Sequence, residues 1–105
     1  MYFTYITTEN KEEAQKVGAA LIEARLAACV NILDGMTSMF YWEGKVQSEN
    51  ETVLIAKTRK DLAEKVTEKV KEVHSYDCPC VVFLPVENGN PDFLQWLKEE
   101  TSKQS

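Results

Sequence analysis

Hydrophobic and polar positions along this chain follow two periods, and the switches between them predict its elements. Tyr2 to Thr7 is a β-branched and aromatic run with bulk in both phases, which predicts a first strand covered on both faces. Beyond it, Ala14, Val17, Gly18, Leu21, Ala24 and Ala28 form one apolar stripe at helical spacing, so a helix follows and ends near Leu26. Asn10 caps it, and Glu13 three residues on completes an Asx version of the capping box. Gly18 weakens the helix, which points to close contact with a sheet at that position. Cys29 to Trp42 and Lys45 to Lys57 are two β-rich arms facing each other across Glu43-Gly44, where glycine tolerates the positive φ of a tight hairpin turn. Asp34-Gly35 interrupts the first arm and marks a bulge. Thr58 is placed to cap a second helix, whose stripe is Leu62, Ala63, Val66, Val70 and Val73. Pro79 ends that pattern, because the residue before a proline disfavours helical geometry. Cys80 to Val86 reads as a fourth strand, nearly all apolar and so central or covered on both faces. Asn90 caps a third helix with Pro91 at its first position and Phe93, Leu94, Trp96 and Leu97 on its apolar face.

The order is β-α-β-β-α-β with an added C-terminal helix. That is the α+β, ferredoxin-like arrangement, a four-stranded antiparallel sheet with helices on one face, in a single domain spanning residues 1–105. Each hairpin arm would extend roughly 45 Å, more than twice a typical strand. A domain this small cannot shelter both, so the arms are expected to bend and to overhang toward another subunit. Gln47 to Glu51, polar and acidic, projects into water or toward that neighbour.

Composition narrows the function classes. A content of 44% hydrophobic and 28% charged residues belongs to a globular chain rather than a disordered one. The net charge of −5 argues against nucleic acid as the main partner and mildly attracts cations. No apolar run reaches membrane-spanning length, and the first ten residues carry no basic leader or cleavage site. Three cysteines without framework spacing read as reduced thiols, and the expected location is cytoplasmic.

Candidate chemistry concentrates after the second helix. His74, Cys78 and Cys80 form an H-x3-C-x-C cluster, whose thiolates and imidazole suit Cu(I) or Zn(II). The competing reading makes His74 a helix end that stabilises terminal carbonyls, and makes both cysteines small core residues. Pro79 and the opposite phases of an extended segment weigh against chelation by both thiols. Cys29, inside an apolar run, reads as a buried inert thiol. With no second histidine, His-rich zinc sites are excluded and any Ser-His-Asp triad would depend on His74 alone. Lys57 ends a buried strand and requires a carboxylate or carbonyl partner. Arg25, near Glu23, reads as a solvated helix end or an intersubunit ion pair.

Five segments taken together carry a family resemblance. They are Arg25-Leu26-Ala27-Ala28-Cys29-Val30-Asn31-Ile32, Tyr41-Trp42-Glu43-Gly44-Lys45, Lys57-Thr58, His74-Ser75-Tyr76-Asp77-Cys78-Pro79 and Phe93-Leu94-Gln95-Trp96-Leu97. In this order and spacing they resemble the CutA family of divalent-cation tolerance proteins over nearly the whole chain. The resemblance implies the same fold, a tight homotrimer with hairpin arms pairing across subunits, and a cytosolic protein associated with copper or another divalent cation. It implies no catalytic activity. It also makes Tyr41, Trp42, Glu43, Lys57 and Tyr76, with Asp77 nearby, candidates for a small-ligand cleft between subunits. The competing reading is an aromatic interface cluster. Of the family's metal positions only His74 carries over: members commonly have glutamate where Cys80 stands, and some have a cysteine ligand where Ile6 stands. A closed ring of three also satisfies the open edges and the bare sheet face without leaving a sticky end.

The expected function is therefore a homotrimeric divalent-cation binding or signalling module, not an enzyme. Acylphosphatases share the topology but need an arginine-bearing phosphate cradle after the first strand, and Thr7-Thr8-Glu9-Asn10 offers neither arginine nor glycine. The alternatives are a trimeric small-ligand sensor akin to PII proteins, for which Gln47 to Glu51 is a short regulatory loop, and a structural or anchoring trimer with indirect effects on metals.

Overall fold

The computed structural model describes residues 1–103. Strand β1 (Tyr2–Thr8) leads into helix α1 (Lys11–Glu23), then into the hairpin of β2 (Cys29–Trp42) and β3 (Lys45–Thr58). A 3-10 turn (Lys60–Leu62) precedes α2 (Ala63–Val73), and β4 (Val81–Pro85) and α3 (Pro91–Glu100) complete the chain. The sheet order is β2-β3-β1-β4 with every pairing antiparallel, so the fold is α+β and ferredoxin-like. Helices α1 and α2 cover one face. Ile6, Leu54 and Ala56 from the sheet meet Val17, Leu21, Val66 and Val70 from the helices, all fully buried. Gly18 sits at the closest approach: a Cβ there would lie 3.1 Å from Val30 Cγ2 and 3.3 Å from Leu54 Cδ1.

The termini of α1 combine a predicted feature with an unpredicted one. Asn10 Oδ1 accepts the Glu13 N–H at 2.8 Å, and Glu13 Oε1 accepts the Glu9 N–H at 2.9 Å, so the capping box closes one residue ahead of the cap. The helix stops at Glu23, short of Leu26, because a Schellman turn intervenes. The Leu26 N–H donates to Leu21 O at 2.9 Å and the Arg25 N–H to Ile22 O at 3.1 Å. Arg25 therefore takes a left-handed φ of 59°, where glycine is usual, at a cost of about 1 kcal/mol.

The hairpin carries the expected bulge, a register shift between Leu33 and Met36. Asp34 Oδ1 stabilises it by accepting the Gly35 N–H and the Thr52 hydroxyl, each at 2.8 Å. The turn has positive φ at both Glu43 (52°) and Gly44 (76°), the handedness that matches strand twist. Partner β1 ends at the Thr8–Thr52 pair, so from Met36 to Glu51 the hairpin pairs only with itself. This overhang exposes Met39 (70%), Phe40 (39%), Tyr41 (76%), Trp42 (63%) and Val46 (58%).

Two expectations change. Thr58 belongs to β3 and its hydroxyl donates to Leu26 O, so it caps no helix; the 3-10 turn leads into α2, which has no side-chain cap. Strand β4 lies at an edge and pairs with β1 alone. Val81 and Phe83 pack under the helices, while Val82 (48%) and Leu84 (50%) stay exposed on the other face. An all-apolar strand reports that both faces are apolar, not that this chain covers both. Among the described residues, no helix is long and apolar enough to cross a membrane.

Candidate functional site

The segment between α2 and β4 is anchored by the chain's single histidine. The His74 side chain is fully buried. Its Nε2–H donates to Thr7 O at 2.8 Å, and its Nδ1 accepts the Tyr76 N–H at 3.0 Å. Glu13 Oε2 accepts the Ser75 N–H at 2.9 Å, which ties the same segment to α1. Burial pushes the Glu13 carboxyl up, but hydrogen bonds from Glu9 and Ser75 outweigh it, and the net shift is downward. Both ring nitrogens of His74 are thus committed inside the protein. The carbonyl it satisfies belongs to β1, not to its own helix.

This anchoring holds Tyr76 beneath the hairpin arm. The Tyr76 hydroxyl donates to Glu51 Oε2 at 2.9 Å. Burial first, and then the Glu51 carboxylate, push the phenol well above its ordinary range, so it remains a donor at any physiological pH. Between arm and segment lies a cleft of about 650 Å³. Phe40, Trp42 and Tyr76 supply its aromatic walls, Glu49, Glu51 and Asp77 its charge, and Cys78 a thiol; among the described residues, no basic residue lines it. Three carboxylates converging without a counter-charge attract cations and repel anions.

The predicted H-x3-C-x-C ligand set is not assembled in the chain. His74 points inward, Cys78 faces the cleft, and Cys80 lies outside its lining. Partial burial and the Glu51 charge raise the Cys80 thiol, with Thr7 pulling weakly the other way, which disfavours the thiolate a metal needs. Among the described residues, no three His, Cys, Asp or Glu side chains are placed to hold a metal ion.

The predicted small-ligand set divides. Trp42 and Tyr76 meet in the cleft, whereas Tyr41 and Glu43 stand exposed at the hairpin tip and do not line it. Lys57 lies near the opposite end of β3, its Nζ 2.6 Å from Asn31 Oδ1, 3.7 Å from Cys29 Sγ and 5.8 Å from the Phe93 ring centroid. The amide oxygen of Asn31 is the partner its position required. Cys29 is only half-buried. Sequence reasoning missed Phe40, Glu49 and Glu51 as cleft residues. Their signal was strand alternation: Gln47, Glu49 and Glu51 share a face with Phe40 and Trp42 through the β2–β3 register.

Comparison with known proteins decides the family. A model of the family described as CutA1 divalent ion tolerance protein matches residues 2–100. The chain belongs to the CutA1 family. It is 47% identical over 97 residues to chloroplastic Protein CutA 1 of Oryza sativa, covering 92% of this chain and 55% of that protein. Identity to the divalent-cation tolerance protein CutA of Archaeoglobus fulgidus is 43% over 97 residues, covering 92% and 94%. The chain thus spans about half the length of its plant relatives and nearly all of the archaeal one. Among solved CutA1 structures, that from Oryza sativa superposes with a TM-score of 0.93 at 45% identity, covering 94% of this chain and 91% of that one. The Thermus thermophilus structure gives 0.92 at 42% identity, covering 95% and 98%. The rice protein is called chloroplastic and the Archaeoglobus structure periplasmic, so CutA1 membership does not carry a cytoplasmic location with it.

Proposed function

We propose that this CutA1 chain is a non-catalytic, cation-linked binding module that assembles as a homotrimer through the 29–58 hairpin. Divalent cations, copper foremost, would collect at the acidic cleft beneath the arm. The observation that carries the reading is the overhang from Met36 to Glu51, which pairs only with itself and exposes five large apolar side chains. An isolated two-stranded ribbon is marginal in water, and an apolar patch of this kind marks an interface. Sister copies can cover it, and a ring of three closes without leaving an unpaired end. The same packing would bring donors from a neighbouring arm to a cleft that has too few of its own. The non-catalytic reading is supported by the chemistry of the groups present. The lone histidine is committed at both nitrogens, and the Cys80 and Tyr76 protons are held rather than released. Three free cysteines fit a reducing, cytosol-like compartment.

Light scattering and calorimetric titration test this together. The expected result is a trimer that binds Cu(II) or Zn(II) saturably, with binding weakened by Glu51→Gln and Cys78→Ala. A stable monomer would remove the assembly. A trimer with no saturable binding would leave a structural or anchoring role.

A further inference from the structure

We infer that the end of the molecule remote from the acidic cleft carries a second site, for a small multivalent oxyanion of the phosphate class. The observation is a pocket of about 510 Å³ lined by Arg25, Arg59, Lys65, Thr101, Ser102 and Lys103, with three apolar residues and, among the described residues, no carboxylate in its lining. Four of the twelve Lys and Arg residues of a chain of net charge −5 converge on this one depression. Two carboxylates reach its edges: Glu100 pairs with Arg25 at 3.2 Å and with Lys103 at 2.5 Å, and Asp61 lies 3.5 Å from Arg59. Four cations against two anions leave the pocket positive, and Lys65 makes no ion pair among the described residues.

Two further features single out the arginines. The Nε of Arg59 is buried and has no hydrogen-bond partner, while its Nη2 reaches Thr101 O only at 3.4 Å. The Nε–H is closed off from solvent, but the Nη groups, held only by long contacts to Thr101 O and to Asp61 at 3.5 Å, keep donor capacity for the fork geometry that an oxyanion matches. Arg25 occupies the left-handed position of the Schellman turn, where glycine carries no strain. A half-exposed pair with Glu100 contributes little in water and does not by itself account for arginine there. A guanidinium held at the pocket rim by a rigid turn does. A multivalent oxyanion can engage several of these cations at once, so the fitting class is a pyrophosphate or a phosphate ester.

Calorimetric titration of the full chain with pyrophosphate, inorganic phosphate and citrate, at constant ionic strength, tests the assignment. Pyrophosphate is expected to bind saturably, one per chain, and more tightly than citrate. Arg59→Gln and Lys65→Gln should each weaken it at least tenfold, Arg59→Lys less, and Lys16→Gln on the exposed face of α1 not at all. In nitrogen-15 spectra the Arg59 Nε–H resonance should shift as the site fills. Arg25→Gly relieves the turn and removes the charge, so it separates loss of binding from loss of folding. The proposal is overturned if no anion gives saturable heat. It also fails if Arg59→Gln and Lys65→Gln bind as the parent does, or if Lys16→Gln weakens binding as much as they do. Citrate binding as tightly as pyrophosphate would overturn the phosphate assignment.

Discussion

Arginine 25 shows how one residue can run against its local backbone. Replacing it with glycine removes about 1 kcal/mol of left-handed strain and an ion pair worth no more than about that. Arg25→Gly should therefore leave stability in denaturant unchanged or raise it by up to about 1 kcal/mol; a larger loss would mean that the Glu100 contact dominates. Thr4 is a second local conflict, because its hydroxyl is buried without a partner. The near-isosteric Thr4→Val removes an unsatisfied group, and chemical denaturation should find it neutral or stabilising by about 1 kcal/mol. His74 is the opposite case, a buried polar side chain fully satisfied. His74→Ala leaves Thr7 O and the Tyr76 N–H without partners, so a loss of about 2–4 kcal/mol is expected. Because its nitrogens are turned away from the cleft, the stoichiometry of metal uptake measured by calorimetry should not change.

Helix α1 joins both of the chain's structural requirements, packing on the sheet and holding the site. Its Gly18 face leaves no room for a branched side chain against Val30 and Leu54, so Gly18→Val should lower thermal stability by about 1–3 kcal/mol. Its Glu13 reaches across to the segment that carries Tyr76 and Cys78. The folded-state pKa of Glu13 lies below the ordinary 4.5. Its contribution is therefore present in full above about pH 4.5 and is lost as pH falls through the depressed value. Glu13→Gln should flatten the acid limb of the stability curve below that pH and leave its neutral-to-alkaline shape unchanged, as read by urea midpoints across pH. Elements were largely legible beforehand because periodicity and caps are local: the Asn10 and Asn90 caps and the Asp34-Gly35 bulge each depend on a few adjacent residues. Thr58 misled because a threonine before a helix and a threonine ending a strand look alike until Leu26 O is brought beside it.

The whole molecule measures 45 × 27 × 22 Å, and its long axis reflects a hairpin that outreaches its own sheet. If sister copies cover the overhang, folding and assembly are one equilibrium. Trp42→Arg should then lower the thermal midpoint in a concentration-dependent way and shift sedimentation away from the trimer; a cooperative monomer of unchanged stability would refute the coupling. Charge is divided on the same scale. The arm's cleft holds carboxylates alone, and the pocket beyond the end of β3 holds cations in its lining. Net charge averages these into a single mildly acidic number.

Residue order alone determined the β-α-β-β-α-β succession, the hairpin and its bulge, and the excess length of the arms, because periodicity, turn chemistry and strand length are properties of neighbouring residues. Tertiary structure decided which carboxylates face Tyr76, that His74 turns inward to Thr7, that β4 is an edge, and that four cations from the turn after α1, the β3–α2 connection, α2 and the segment after α3 meet in one pocket. Those facts depend on distances between residues far apart in the chain, and no local pattern encodes them until the sheet brings the ends of its strands together.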